Sequence, residues 1–90
     1  MKSLHLVISG RVQGVGYRDW MVGEAARLGL SGWVRNLGAE QVEALVSGPD
    51  DAVRAAVAAC HRGPRYASVT TVEADPASPV TGKFQRLPSV

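Results

Sequence analysis

Leu4, Leu6, Ile8, Gly10 and Val12 alternate with Ser3, His5, Ser9 and Arg11, the two-residue period of a half-buried strand. From Tyr17 the period lengthens. Tyr17, Trp20, Met21, Ala25 and Leu28 share one helical stripe, and Asp19 falls in the first turn, where the helix dipole favours a carboxylate. Leu28-Gly29-Leu30 reads as a glycine C-cap followed by a hydrophobic residue. Gly32 to Arg35 predicts a second strand and Gln41 to Ser47 a third, with Val42, Ala44 and Val46 on one face and Asn36 to Glu40 as the hairpin between. Gly48-Pro49-Asp50-Asp51 opens a second helix, with proline at a first-turn position and two acids at the positive end of the dipole. Val53, Ala56, Val57 and Cys60 form its apolar stripe, and Arg62-Gly63-Pro64 ends it. Ala67 to Ala74 predicts a fourth strand. Val69 and Val72 differ in parity there, which points to a bulge. Lys83 to Leu87 predicts a short fifth strand at the sheet edge.

The order β-α-β-β-α-β plus an edge strand predicts an α+β fold, the ferredoxin-like split β-α-β sandwich: an antiparallel sheet with both helices on one face. In that topology the first two strands run the same way and end at the same edge. The loop from Gln13 to Tyr17 and the hairpin residue Asn36 are therefore expected to be neighbours.

Composition narrows the class. Ninety residues with 46% hydrophobic and 20% charged positions predict one globular domain spanning residues 1–90, because two would each lack a core. No stretch approaches the roughly 20 apolar residues of a membrane span, and no signal-peptide pattern opens the chain. A single cysteine, Cys60, cannot close an intrachain bridge, so a reduced, cytoplasmic setting is expected. Net charge is +2, and eight of the ten basic residues are arginine, the side chain suited to two-pronged anion binding. That count fits a small anionic ligand better than a polyanion, which needs a denser basic stripe.

The chemistry concentrates in Gly10-Arg11-Val12-Gln13-Gly14-Val15-Gly16-Tyr17-Arg18. Two glycines two apart, between a strand and a helix, can turn several consecutive N–H groups into one concavity at the helix's positive end. Arg18 adds a full charge and a planar fork. Read alone, this stretch is either an anion cradle or an ordinary tight turn, and Asn36 is either a turn residue or a neutral amide that positions a water. The third glycine of a dinucleotide fingerprint is replaced by Asp19, and no Gly-Lys-Ser/Thr of a Walker loop follows. Neither a metal-ligand cluster nor a Ser-His-Asp or Cys-His arrangement is evident. A catalyst built from these parts works by charge stabilisation and positioning, which suits phosphoryl transfer to water from a leaving group that departs unprotonated. A carboxylate meets that condition and an alkoxide does not, so an acylphosphate is favoured over a phosphate ester.

At these residues the chain resembles the acylphosphatases. Gly10 to Arg18 is similar to the first signature of that family, and Gly32-Trp33-Val34-Arg35-Asn36 to the second, continued by Val42 and Gly48. The resemblance runs from Leu4 to Phe84. It implies hydrolysis of an acylphosphate to a carboxylate and inorganic phosphate, with no metal or cofactor. It also implies Arg18 as the phosphate-binding arginine and Asn36 as the residue that orients the attacking water. The backbone N–H groups of Val15 to Arg18 become the phosphate cradle, in a turn set by Gln13, Gly14, Val15, Gly16 and Tyr17. The resemblance further implies that a substrate phosphate oxygen itself takes the water's proton, in keeping with the missing general base. Three positions depart from the family pattern: Tyr17 stands where phenylalanine is usual, Glu40 where the hairpin carries glycine, and Arg86 where an apolar residue is common. The expected partner is a small-molecule acylphosphate acted on by a monomer, with no nucleic acid or membrane involved. The competing readings are a non-catalytic phosphate- or RNA-binding module of the same fold, and hydrolysis of carbamoyl phosphate. An RNA-binding sheet needs exposed aromatics, and here Tyr17, Trp20 and Trp33 are expected near the first helix or the site edge.

Overall fold

A computed structural model describes all 90 residues, Met1–Val90. The chain forms β1 (Lys2–Arg11), α1 (Tyr17–Leu28), β2 (Ser31–Leu37), β3 (Gln41–Gly48), α2 (Asp50–Arg62), β4 (Ser68–Pro76) and β5 (Gln85–Arg86). The sheet order is β4-β1-β3-β2-β5. Both β1 and β2 lie antiparallel to β3, so they run parallel to each other, as the crossover through α1 requires. The expected sandwich is therefore present, with one correction. β5 pairs parallel to β2, Val34 opposite Arg86, so the sheet is mixed rather than wholly antiparallel. A two-residue strand has no period from which its direction could be read.

Alternation builds the core. Leu6 and Ile8 of β1, Val34 of β2, and Val42, Ala44 and Val46 of β3 are fully buried on the helix-facing side of the sheet. Met21 and Ala25 of α1 and Val53, Ala56 and Cys60 of α2 close over them. Burial of each large apolar side chain in this layer contributes about 1.5–3 kcal/mol. α1 ends as its Leu28-Gly29-Leu30 pattern predicts: Leu30 N–H donates to Ala25 O (2.9 Å) and Gly29 N–H to Ala26 O (3.2 Å), which satisfies two terminal carbonyls. At the start of α2, Pro49 is the N-cap rather than a first-turn residue, and Asp50 and Asp51 open the helix.

The parity break in β4 is a bulge. Its register against β1 jumps between Ser9–Thr71 and Gly10–Val69, leaving Thr70 unpaired. The bulged strand presses on β1 at Gly10, where a Cβ would lie 2.3 Å from the Ser68 carbonyl oxygen, so only glycine fits.

From β4 to β5 the chain crosses from one sheet edge to the other. Ala77 N–H donates to Ser3 O (3.0 Å) and Val80 N–H to the Ser47 hydroxyl (3.3 Å). Ser3 and Ser47 share a hydroxyl hydrogen bond of 2.6 Å and are buried beneath this crossing although they face away from the helices. Trp33 also lies on that second face, opposite Leu45, because its neighbour Val34 points inward. It stacks under Arg35 (4.8 Å) and meets the His5 ring edge-on, which corrects the expectation that it sits near α1 or the site edge. On the same face the Glu43 carboxylate takes hydrogen bonds from His5 and Arg35, each 2.6 Å. No helix is long and apolar enough to cross a membrane.

Candidate active site

The carboxyl ends of β1 and β2 meet at one sheet edge, and the turn from Gln13 to Gly16 fills the space between them and α1. Gly14 (φ 73) and Gly16 (φ 77, ψ 23) both adopt left-handed backbone, and Gly16 is the N-cap of α1. A Cβ at either would meet nothing within 4 Å, so conformation rather than crowding demands glycine there. The result is an uncapped helix start. No side chain caps α1, and its first bonded donor is Trp20 N–H, to Gly16 O at 3.0 Å. The N–H groups from Gln13 to Asp19 make no hydrogen bond to the rest of the protein.

Beside them lies a cavity of about 170 Å³ whose wall includes Gly14, Gly16, Tyr17, Arg18 and Asn36. Five of the residues singled out in the sequence thus share one site. Asn36 reaches it because it continues the inward parity of Gly32 and Val34 at the end of β2. Its backbone carbonyl accepts from Val90 N–H (3.0 Å), while its carboxamide makes no hydrogen bond to the protein. Arg18 is half-buried, and one guanidinium nitrogen donates to the Leu87 carbonyl at 3.3 Å.

Gln13 and Val15 contribute differently. The Gln13 side chain points away from the cavity and donates to Gly38 O (2.9 Å) and Gln41 O (2.8 Å), tying the loop to the β2–β3 hairpin. Val15 packs its side chain on the core. Glu40 does not disturb that hairpin, because the left-handed residue there is Gly38 (φ 61). A larger cleft of about 770 Å³ lies on the far side of the Gln13 bridge, but neither Arg18 nor Asn36 lines it. The smaller cavity holds the convergent donors.

Tyr17 anchors the helix start from below. Its ring is 2% exposed and its hydroxyl donates to Cys60 O at 2.7 Å, which accounts for the extra oxygen relative to phenylalanine. Burial, and then the neighbouring Cys60, push its phenol well above the ordinary tyrosine range.

Asp19 and Arg86 also stand in the wall, although their sequence context assigns neither a part in the site. Their side chains join at 2.6 Å across 67 positions of sequence, and no local pattern marks such a pair. No three His, Cys, Asp or Glu side chains gather closely enough to hold a metal ion.

Residues 4–86 match the family described as Acylphosphatase. The acylphosphatase of Acidiphilium cryptum (strain JF-5) is 56% identical over 72 residues, covering 80% of this chain and 79% of the relative. That of Rhodospirillum rubrum is 48% identical over 91 residues and covers all of both chains. The crystal structure of acylphosphatase from Bacillus subtilis superposes with a TM-score of 0.90 at 32% identity, over 97% of this chain and 99% of that one.

Proposed function

This chain belongs to the acylphosphatase family and hydrolyses the carboxyl–phosphate bond of acylphosphates, and from that premise we propose how its own residues perform the reaction. The phosphoryl group sits in the cavity at the start of α1. The N–H groups of Val15, Gly16, Tyr17 and Arg18, in the turn that Gln13 and Gly14 shape, receive its oxygens, and the Arg18 guanidinium closes the cradle. Asn36 holds the attacking water in line with the bond to the carboxylate.

One observation carries this reading: a run of N–H groups without a protein partner, beside a small cavity whose wall brings Gly14, Gly16, Tyr17 and Arg18 together with the free carboxamide of Asn36. At about 170 Å³ the cavity is below the roughly 300–1,000 Å³ of drug-sized ligand sites. That is room for a phosphoryl group and one nucleophile, with the acyl group left outside. The bond from the phosphorus to the acyl oxygen breaks with both electrons going to the carboxylate, which leaves unprotonated. The bond to the water oxygen forms, and a phosphoryl oxygen takes the water's proton. The donors around the equatorial oxygens stabilise the charge of a loose transition state, and neither a general base nor a metal ion is required. The active unit is a single domain spanning residues 1–90, a cytoplasmic monomer acting on a small-molecule substrate without nucleic acid or membrane. In support, Cys60 is a buried free thiol, and the open sheet face offers one aromatic, Trp33, already stacked with Arg35.

The test is a chelator-treated assay with benzoyl phosphate beside p-nitrophenyl phosphate, in which only the first is turned over. Arg18→Ala removes turnover and inhibition by phosphate together, and Arg18→Lys does not restore them, since a point charge lacks the fork. Asn36→Ala lowers kcat by about a hundredfold or more while inhibition by phosphate stays nearly intact. Full activity in the Asn36 variant would refute its role.

A further inference from the structure

The first turn of α1 is asked to serve two anions. Asp19 places a carboxylate there, where it interacts favourably with the helix dipole in the absence of ligand. The same turn supplies N–H groups to the phosphoryl site proposed above, and Asp19 lines that cavity. Like charges at one helix end oppose each other. An unanswered Asp19 would therefore weaken the binding of a phosphoryl dianion.

Arg86 answers it. The tail is held beside β2 by the parallel pairing of Val34 with Arg86 and by a 2.8 Å hydrogen bond from Leu87 N–H to Val34 O. From that position Arg86 Nη1 meets Asp19 Oδ1 at 2.6 Å, and Arg86 is itself part of the cavity wall. The pair is solvated, with side chains 47% and 71% exposed, so its worth to folding is close to nil. Its consequence lies in the site's charge. With Arg86, the wall carries two guanidinium groups and one carboxylate, a net charge of one positive; without it, the wall is neutral. Arg18 cannot substitute, because its guanidinium is engaged with the Leu87 carbonyl and has the phosphoryl group to bind.

We propose that Arg86 is a charge-compensating residue of the phosphoryl site, which by pairing with Asp19 keeps that carboxylate from opposing the dianion bound at the start of α1. The inference rests on the reading of the cavity as the phosphoryl site. It assigns a task to the position in the last strand that departs from the family pattern, and to a residue of α1 that the mechanism leaves unused.

The experiment measures benzoyl phosphate kinetics and inhibition by inorganic phosphate in the full chain and in four variants: Asp19→Asn, Arg86→Ala, Arg86→Lys, and Asp19→Asn with Arg86→Ala. Arg86→Ala raises KM and the phosphate inhibition constant about fivefold and leaves kcat within about twofold, because ground state and transition state carry the phosphoryl charge alike. The defect shrinks as salt is added, since exposed charges are screened. Arg86→Lys stays within about twofold of the parent, because charge rather than the fork is what counts. Asp19→Asn alone binds phosphate at least as tightly as the parent. The double variant recovers the parent's KM and inhibition constant. A double variant no better than Arg86→Ala would overturn the proposal, because Arg86 would then act on the ligand or the tail and not through Asp19. An Arg86→Ala protein indistinguishable from the parent would overturn it as well. Parent protein that phosphate does not inhibit would instead bring down the reading of the cavity itself.

Discussion

Replacing Tyr17 by phenylalanine deletes one oxygen, and the structure sets what that oxygen does. A helical carbonyl normally accepts from the N–H four residues on. For Cys60 that residue is Pro64, which has no N–H. Gly63 N–H goes to Ala59 O instead, at 2.9 Å. The Cys60 carbonyl therefore depends on the Tyr17 hydroxyl, 2.7 Å away in the core. Tyr17→Phe leaves that buried acceptor without a partner, a loss of about 1–2 kcal/mol once the saving from not burying a hydroxyl is set against it. With about 2 cal/mol/K of unfolding entropy per residue, a 90-residue chain loses about 5 °C of Tm for each kcal/mol. The expected fall is thus about 5–10 °C by calorimetry, with a matching shift of the urea midpoint at unchanged slope. KM and kcat for benzoyl phosphate should stay within about twofold, because the ring and the Tyr17 N–H remain. A variant as stable as the parent would refute the claim that this hydroxyl stands in for the missing proline N–H.

Two further outcomes follow from the same interior and from the open face. Burial raises the Cys60 thiol to about 11 despite its hydrogen-bonding partner Tyr17, so a thiol reagent at about pH 8 should label it only in denaturant; rapid labelling of native protein would contradict the packing. At Glu43, burial acts to raise the carboxyl's pKa, but hydrogen bonds from His5 and Arg35 outweigh it and leave the group below its ordinary range. A lowered carboxylate stabilises the fold fully above its unfolded pKa and loses that contribution as pH falls through the folded one. Glu43→Gln should therefore be less stable than the parent near neutrality, by a margin that closes below about pH 4.3; a margin constant with pH would refute the assignment.

Much of this was legible in the chain because the informative residues are neighbours in sequence. The change of period at Tyr17, the Leu28-Gly29-Leu30 cap and the glycine pair at 14 and 16 each act within one turn of backbone. The proximity of Asn36 to that loop followed from the handedness of the crossover. What escaped involves residues whose local pattern is silent. Trp33 lies between Gly32, which has no side chain to mark a face, and Val34, so its direction depends on the pairing with Leu45. The direction of β5 depends on where a crossing of the open face delivers the chain. Arg86 reaches Asp19 only through that delivery. The orphaned Cys60 carbonyl could be foreseen from Pro64, but the identity of its donor could not.

The uncapped start of α1 ties stability to function. A serine, threonine or aspartate at the N-cap satisfies one of the first N–H groups and stabilises a helix by about 1 kcal/mol over a residue that cannot. Gly16 forgoes that, in a left-handed conformation unsuited to the usual capping geometry, and no side chain from elsewhere takes its place. A capping oxygen at this position would occupy the very donors that the phosphoryl group is proposed to use. The protein thus keeps a short row of unmet N–H groups, held in place by the buried Tyr17 ring below and the Gln13 bridge beside it. Because those donors are already aimed when the substrate arrives, little of the binding free energy goes into reorganising the loop. The amides can then act where charge develops in the transition state. That is how a cavity without a strong acid or base can be sufficient for a bond whose leaving group needs no proton.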